Sequence, residues 1–225
     1  MDIFNSNNKD EDLQKNMPEI LTWAYTQAVN GVVGIGSAED LAEEYLHSNN
    51  YDKLEAINSL IRWQNTKAAT GGFITNLGGL ITLPVSIPAN LVTSIYIQLR
   101  MIAAIASISG KELGDDKIKT LCILCLTGNN SAEILKQAGI KIAEKYTAGL
   151  IQKYITRDII IYINKAVGFR LITKAGSTGI LNLTKAVPIV GGLVGATFDG
   201  ITTNIIGNTA RDLFLEKKST LVETK

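Results

Sequence analysis

Two long stretches almost free of charge dominate this chain, and prolines interrupt both. The first runs from Ala68 to Gly110 with Arg100 as its one charged residue; the second runs from Lys174 to Arg211 with Lys185 and Asp199 inside. An apolar run of about 20 residues is long enough to cross a bilayer as a helix. Pro84 and Pro88 cut the first block and Pro188 the second, and proline removes a helical hydrogen bond and clashes with the preceding turn, so neither block is one straight span. The helix expected from Ala89 to Ser109 also carries Asn90, Thr93, Ser94, Tyr96, Gln98 and Arg100, too many polar groups for a wall facing lipid. The blocks therefore predict two Gly-rich, hairpin-like apolar halves folded against each other. An arm ending at Leu80 to Leu83 leads into the helix over 89–109, and a second arm after Gly176 leads past Pro188 into a helix reaching about Leu215. The outline from Gly71 to Pro84 resembles that from Gly176 to Pro188, an internal pseudo-repeat in form without a shared string.

A chain of 225 residues is long enough to bury most of its apolar surface in one core. At 46% hydrophobic and 19% charged residues it is more apolar than an average domain, and the excess is local to the two blocks. Charge separates along the sequence. Residues 1–50 hold nine acids against Lys9 and Lys15, whereas residues 136–185 hold nine basic groups against Glu144 and Asp158. The composition divides the chain into a mobile acidic and polar segment over 1–15, a single helical domain over 16–215 and a polar tail over 216–225. The start, from Met1 to Asn5, has neither the basic residues nor the apolar run of a secretory signal, so a cytoplasmic protein is expected, with any membrane met from that side.

The chain reads as all-α. Asn16, Pro18 and Glu19 make a helix start, and Gly31 an end. Ser37 followed by Asp40 is a capping pattern for the next helix, which Asn49 and Asn50 break. From Tyr51 to Ala69, the spacing of Leu54, Ile57, Leu60, Ile61 and Trp63 predicts a helix packing these side chains on the core. Further helices are expected over 114–127, over 131–156 and through the β-branched run at 158–163. Gly191 and Gly195, extended by Gly192 and Ala196, form a small-residue face that admits a close helix neighbour.

Catalytic chemistry finds little footing. His47 is the only histidine and sits at a helix end, so a serine triad has no convincing base. Cys122 and Cys125 with one histidine fall short of a zinc set, and no phosphate-binding loop motif is present; no metal and no cofactor is expected. Arg100 and Asp199 are the unusual charges. Burying either alone costs several kcal/mol, and pairing offsets much of that. The sequence leaves two readings open: a structural ion pair, or a polar notch of Asn90, Tyr96, Arg100, Asp199 and Asn204 able to hold a lipid headgroup. A second candidate is a basic stripe of Lys141, Lys145, Lys153, Arg157, Arg170 and Lys174, paired at four-residue spacing beside isoleucines, which suits anionic lipid. Sparse aromatics there argue against nucleic acid.

The runs from Trp23 to Gly31, Gly34 to Glu39, Ile61 to Gln64, Leu80 to Pro84, Leu99 to Ala103, Lys185 to Gly192 and Phe198 to Gly207 resemble the EcsC protein family, over residues 17–214. The resemblance implies a helical bacterial protein and carries no settled activity. Together with the apolar blocks and the basic stripe, it leads to the expectation of a non-enzymatic protein that binds lipid or an apolar ligand at the cytoplasmic membrane face, with anionic lipid or a membrane protein as partner. The alternatives are an enzyme acting on an apolar substrate near Arg100 and Asp199, and a soluble interaction module or effector. The oligomeric state is not legible in the sequence.

Overall fold

The computed structural model describes the backbone of residues 3–69, 89–140, 148, 152–178 and 193–215, and side chains over 15–66, 91–140, 148, 152–172 and 202–215. Eight α-helices are described: α1 (Ile3–Asn30), α2 (Ala38–Ser48), α3 (Lys53–Ala69), α4 (Ala89–Ile108), α5 (Asp116–Cys125), α6 (Ser131–Gln137), α7 (Arg157–Thr178) and α8 (Leu193–Phe214). A 3-10 turn at Gly128–Asn130 leads into α6. No strand occurs among the described residues, and the all-α reading holds. The apolar arms over 70–88 and 179–192, and with them the proposed pseudo-repeat and Gly191 and Gly192, lie outside what is described; Gly195 and Ala196 fall in the first turn of α8.

Helix α1 begins at Ile3, not near Asn16, and carries Pro18 in its interior. Proline's fixed φ is already helical, so its cost is one lost bond and a local clash. The buried row Met17, Ile20, Leu21, Ala24, Tyr25 and Ala28 holds the helix from there onward. It ends where Gly31 takes a φ of +79°, a conformation in which an added Cβ would sit 2.9 Å from the Ser37 backbone nitrogen. The chain then makes a tight turn in which Val32 and Ile35 exchange backbone hydrogen bonds of 2.9 and 2.8 Å. Ser37 caps α2 as its sequence predicts: its hydroxyl accepts from the Asp40 N–H, and the Asp40 carboxylate accepts from the Ser37 N–H.

Two expectations are corrected. In α3 the buried face is Ala56, Ile57, Leu60, Ile61 and Gln64, while Leu54 and Trp63 are exposed. Trp63 lies six residues beyond Ile57, about 120° round the helix from it and at the edge of the core stripe, and Leu54 sits in the first turn. The continuous helix expected over 131–156 stops at Gln137. Gly139 at φ +81° lets the Ile140 N–H reach back to the Leu135 carbonyl, the αL ending that reverses a chain.

The core is built around α4, where Leu99, Met101 to Ala106 and Ile108 are all buried. Helices α1, α2, α3, α5 and α8 pack on it. Among the described residues it supplies the one helix long and apolar enough to cross a membrane, Leu91–Ile108, with 67% of that stretch buried in the fold. Helix α8 lies antiparallel along α3: Gly207 meets Ile61, and one turn away Arg211 donates to the Asn58 side chain at 3.1 Å. Helix α1 joins the segment before α5 through a buried hydrogen bond from the Tyr25 hydroxyl to the Leu113 carbonyl, 2.9 Å. Helix α7 covers the remaining side, packing on α1, α5 and α6.

Candidate functional site

Arg100 lies on α4 facing the start of α2. Its Nε donates to the Gly36 carbonyl at 2.8 Å and its Nη2 to the Ser37 carbonyl at 3.4 Å. These carbonyls close the turn between α1 and α2, so the guanidinium ties that turn to the central helix. Burial lowers the Arg100 pKa, and the neighbouring Tyr96, Glu44, Asp40 and Tyr45 oppose that shift. A cation beside a helix N-terminus is disfavoured by the helix dipole, and Asp40 and Glu44 offset this. Asp40 is in turn held below the ordinary carboxylate range, first by the Ser37 hydroxyl and backbone hydrogen bonds and further by Arg100. Burial pushes the Tyr45 hydroxyl up to about 12. Tyr96, one turn before Arg100, is buried, its hydroxyl has no hydrogen-bond partner among the described residues, and burial raises its pKa.

Of the five residues of the expected polar notch, the structure therefore brings Tyr96 and Arg100 together, at the head of α2. Asn204 is exposed on α8, where it accepts from Asn208 at 3.3 Å. The side chains of Asn90 and Asp199 lie outside the described residues, and the Arg100–Asp199 pair with them. Ser37, Asp40, Glu44 and Tyr45 around Arg100 were not foreseen there. The capping pattern is visible in the sequence, but nothing local links it to an arginine some sixty residues away.

Beside this corner, the last turn of α1, the 31–36 turn and the first turn of α2 border a shallow groove, broadly open to solvent, of about 660 Å³, lined among others by Gln27, Asn30, Val33, Ile35, Ser37 and Asp40. Val33, at the tip of the turn, is 85% exposed.

The expected basic stripe is redrawn. Lys141, Lys145 and the Lys174 side chain lie outside the described residues. Arg170 forms an ion pair with Glu133 at 2.9 Å. Lys153 and Arg157 are exposed, and Lys165 joins them. Arg157, Ile161, Lys165 and Phe169 follow one another at four-residue spacing along α7, all exposed, with Tyr154 and Tyr162 beside them. The opposite face buries Ile163, Val167 and Ile172. Apolar residues thus point both ways from α7, inward to the bundle and outward among cations.

The two cysteines are sequestered, and the one histidine is at the surface. Cys122 and Cys125 are buried, and burial pushes both thiols well above their ordinary range, away from the nucleophilic thiolate. His47 is exposed, edge-on to Tyr51 with ring centres 6.4 Å apart. Among the described residues no three His, Cys, Asp or Glu groups come together in a way that would hold a metal.

The fold and these surfaces define an all-α bundle in which Arg100 secures a turn and α7 presents mixed basic and aromatic side chains on its exposed face. The chain belongs to the EcsC protein family, whose model matches residues 8–216. No curated protein and no solved structure matches it.

Proposed function

We propose that this is a non-enzymatic protein that associates with anionic lipid at the cytoplasmic face of a membrane, resting on α7. The observation that carries the reading is the outward row Arg157, Ile161, Lys165 and Phe169, flanked by Tyr154 and Tyr162. Over its twelve-residue span the row is about 18 Å long. Aromatic rings favour the headgroup level of a bilayer, and each basic group near an anionic surface contributes about 1 kcal/mol. Lys153, Arg157 and Lys165 form no ion pair among the described residues, so their charge is available. Peripheral docking also leaves α4 in the core, where its burial places it. The non-enzymatic side of the reading is supported by Arg100, whose hydrogen bonds go to backbone carbonyls of the fold itself.

Vesicle flotation tests this. The full chain is expected to float with phosphatidylglycerol-containing vesicles and to stay at the bottom with pure phosphatidylcholine. A chain that remains wholly in the dense fraction with both would overturn the reading.

A further inference from the structure

We propose that the groove at the head of α2 docks a basic, extended polypeptide segment that carries an apolar anchor. The inference is independent of membrane binding, because the groove is built by α1, α2 and the turn between them, none of which contributes to the outer face of α7.

The first argument is the state of the wall. An exposed valine at a loop tip is ordinary where the loop is loose, but this one is fixed from three sides. The two Val32–Ile35 backbone bonds close the turn, Arg100 holds the carbonyls of Gly36 and Ser37, and the reciprocal Ser37–Asp40 cap sets the entry to α2. The turn that carries Val33 is therefore tied down on both sides of it, and the half-buried Ile35 lines the same groove. A preformed apolar contact costs little ordering entropy when a partner binds.

The second argument is charge. From Asp40 in the groove wall, the outer face of α2 continues with Glu43 and Glu44, and Glu39 lies one residue before; all four are exposed. None forms an ion pair among the described residues. Arg100 is the cation felt by Asp40 and Glu44, and it is committed to the turn. A segment lying in the groove with an apolar side chain against Val33 would run its next residues along these carboxylates. Lys or Arg there meets complementary charge, while an acidic segment is repelled. The side-chain amides of Gln27 and Asn30 on the facing wall suit a peptide backbone, which offers both donors and acceptors.

The test uses the full chain and a fluorescein-labelled synthetic peptide of alternating Lys and Leu, with a Glu-and-Leu peptide as its counterpart. Fluorescence anisotropy should show saturable binding of the first and none of the second. Glu39→Lys with Glu43→Lys should weaken binding at least about tenfold, and Val33→Ser about threefold, while Glu112→Lys, an exposed acid outside the groove, changes it less than about twofold. Amide shift changes on adding the peptide should fall within residues 27–44. Equal loss in Glu112→Lys, equal binding of the acidic peptide, shift changes elsewhere, or no binding at all would each overturn the proposal. Asp40 is left intact because it caps α2, and circular dichroism melts verify that each variant is folded.

Discussion

At the scale of single residues, the α1–α2 corner rests on two kinds of hydrogen bond that reinforce each other. Arg100 supplies donors to the Gly36 and Ser37 carbonyls, and Ser37 and Asp40 cap each other. Hydrogen bonds to a charged group contribute about 1.5–3 kcal/mol, so Arg100→Met should lower unfolding stability by about 2 kcal/mol, read from the urea midpoint. Ser37→Ala should cost about 1 kcal/mol as a lost cap. Because both act on one turn, the double variant should lose less than the sum, and strict additivity would show that the turn is not a coupled unit. Asp40 adds a pH signature. Its pKa is depressed from the ordinary 3.8 by the Ser37 hydrogen bonds first. A carboxyl depressed by folding contributes stability above its unfolded value and loses it as pH falls through the folded value. Asp40→Asn should therefore melt below the parent at neutral pH, with the gap closing under acid below the ordinary value. A gap that persists unchanged in acid would remove the carboxylate from this role.

At the scale of elements, the closest approach of a described glycine to a neighbouring side chain is on α8, where it packs along α3. A Cβ at Gly207 would lie 2.8 Å from Cγ1 and 3.1 Å from Cγ2 of Ile61, a branched side chain that is itself buried. Its stiff χ1 leaves little room to yield. Gly207→Ala should cost about 1–3 kcal/mol by overpacking, and Ile61→Val in the same chain should recover part of it; denaturation of the single and double variants decides. Gly207 was legible only as one glycine of a Gly-dense helix, since nothing in the sequence says which glycine meets a neighbour. The start of α2, the end of α1 and the extent of α4 were legible because caps and breakers act through the nearest few residues. The end of α6 was not, because Gly139 can be tolerated inside a helix and only its positive φ marks it as an ending. The outer face of α7 was half legible: Lys153 and Arg157 stand out as charges, but nothing in the sequence marks Ile161 and Phe169 as exposed. A helix with apolar residues on both faces gives no amphipathic signal, and its exposed side appears only once the bundle has claimed the other.

At the scale of the whole molecule, a formal net charge of +1 conceals two unlike surfaces. Helix α2 packs on α1, α3 and α4 and exposes four carboxylates, whereas α7 packs on α1, α5 and α6 and exposes cations among aromatic and aliphatic side chains. A protein so divided has little average attraction to an anionic surface, so any affinity must come from one orientation, with α7 toward the lipid and α2 turned from it. Charge variants on the two helices should then behave differently although each shifts the net charge by two units, in opposite directions. Replacing Arg157 and Lys165 by Gln should weaken binding to phosphatidylglycerol-containing vesicles by about 30-fold, since about 1 kcal/mol per basic group is lost. Replacing Glu39 and Glu43 by Gln should change it by no more than about threefold, because screening over about 10 Å at moderate salt removes those groups from the contact. Parent binding should fall as sodium chloride is raised, and Phe169→Ser should lower the affinity that survives at high salt, where the apolar contribution is what is left. Vesicle titrations followed by sedimentation read all of these. If the α2 variant strengthened binding by as large a factor as the α7 variant weakened it, only net charge would be at work, and the oriented contact through α7 would have to be abandoned.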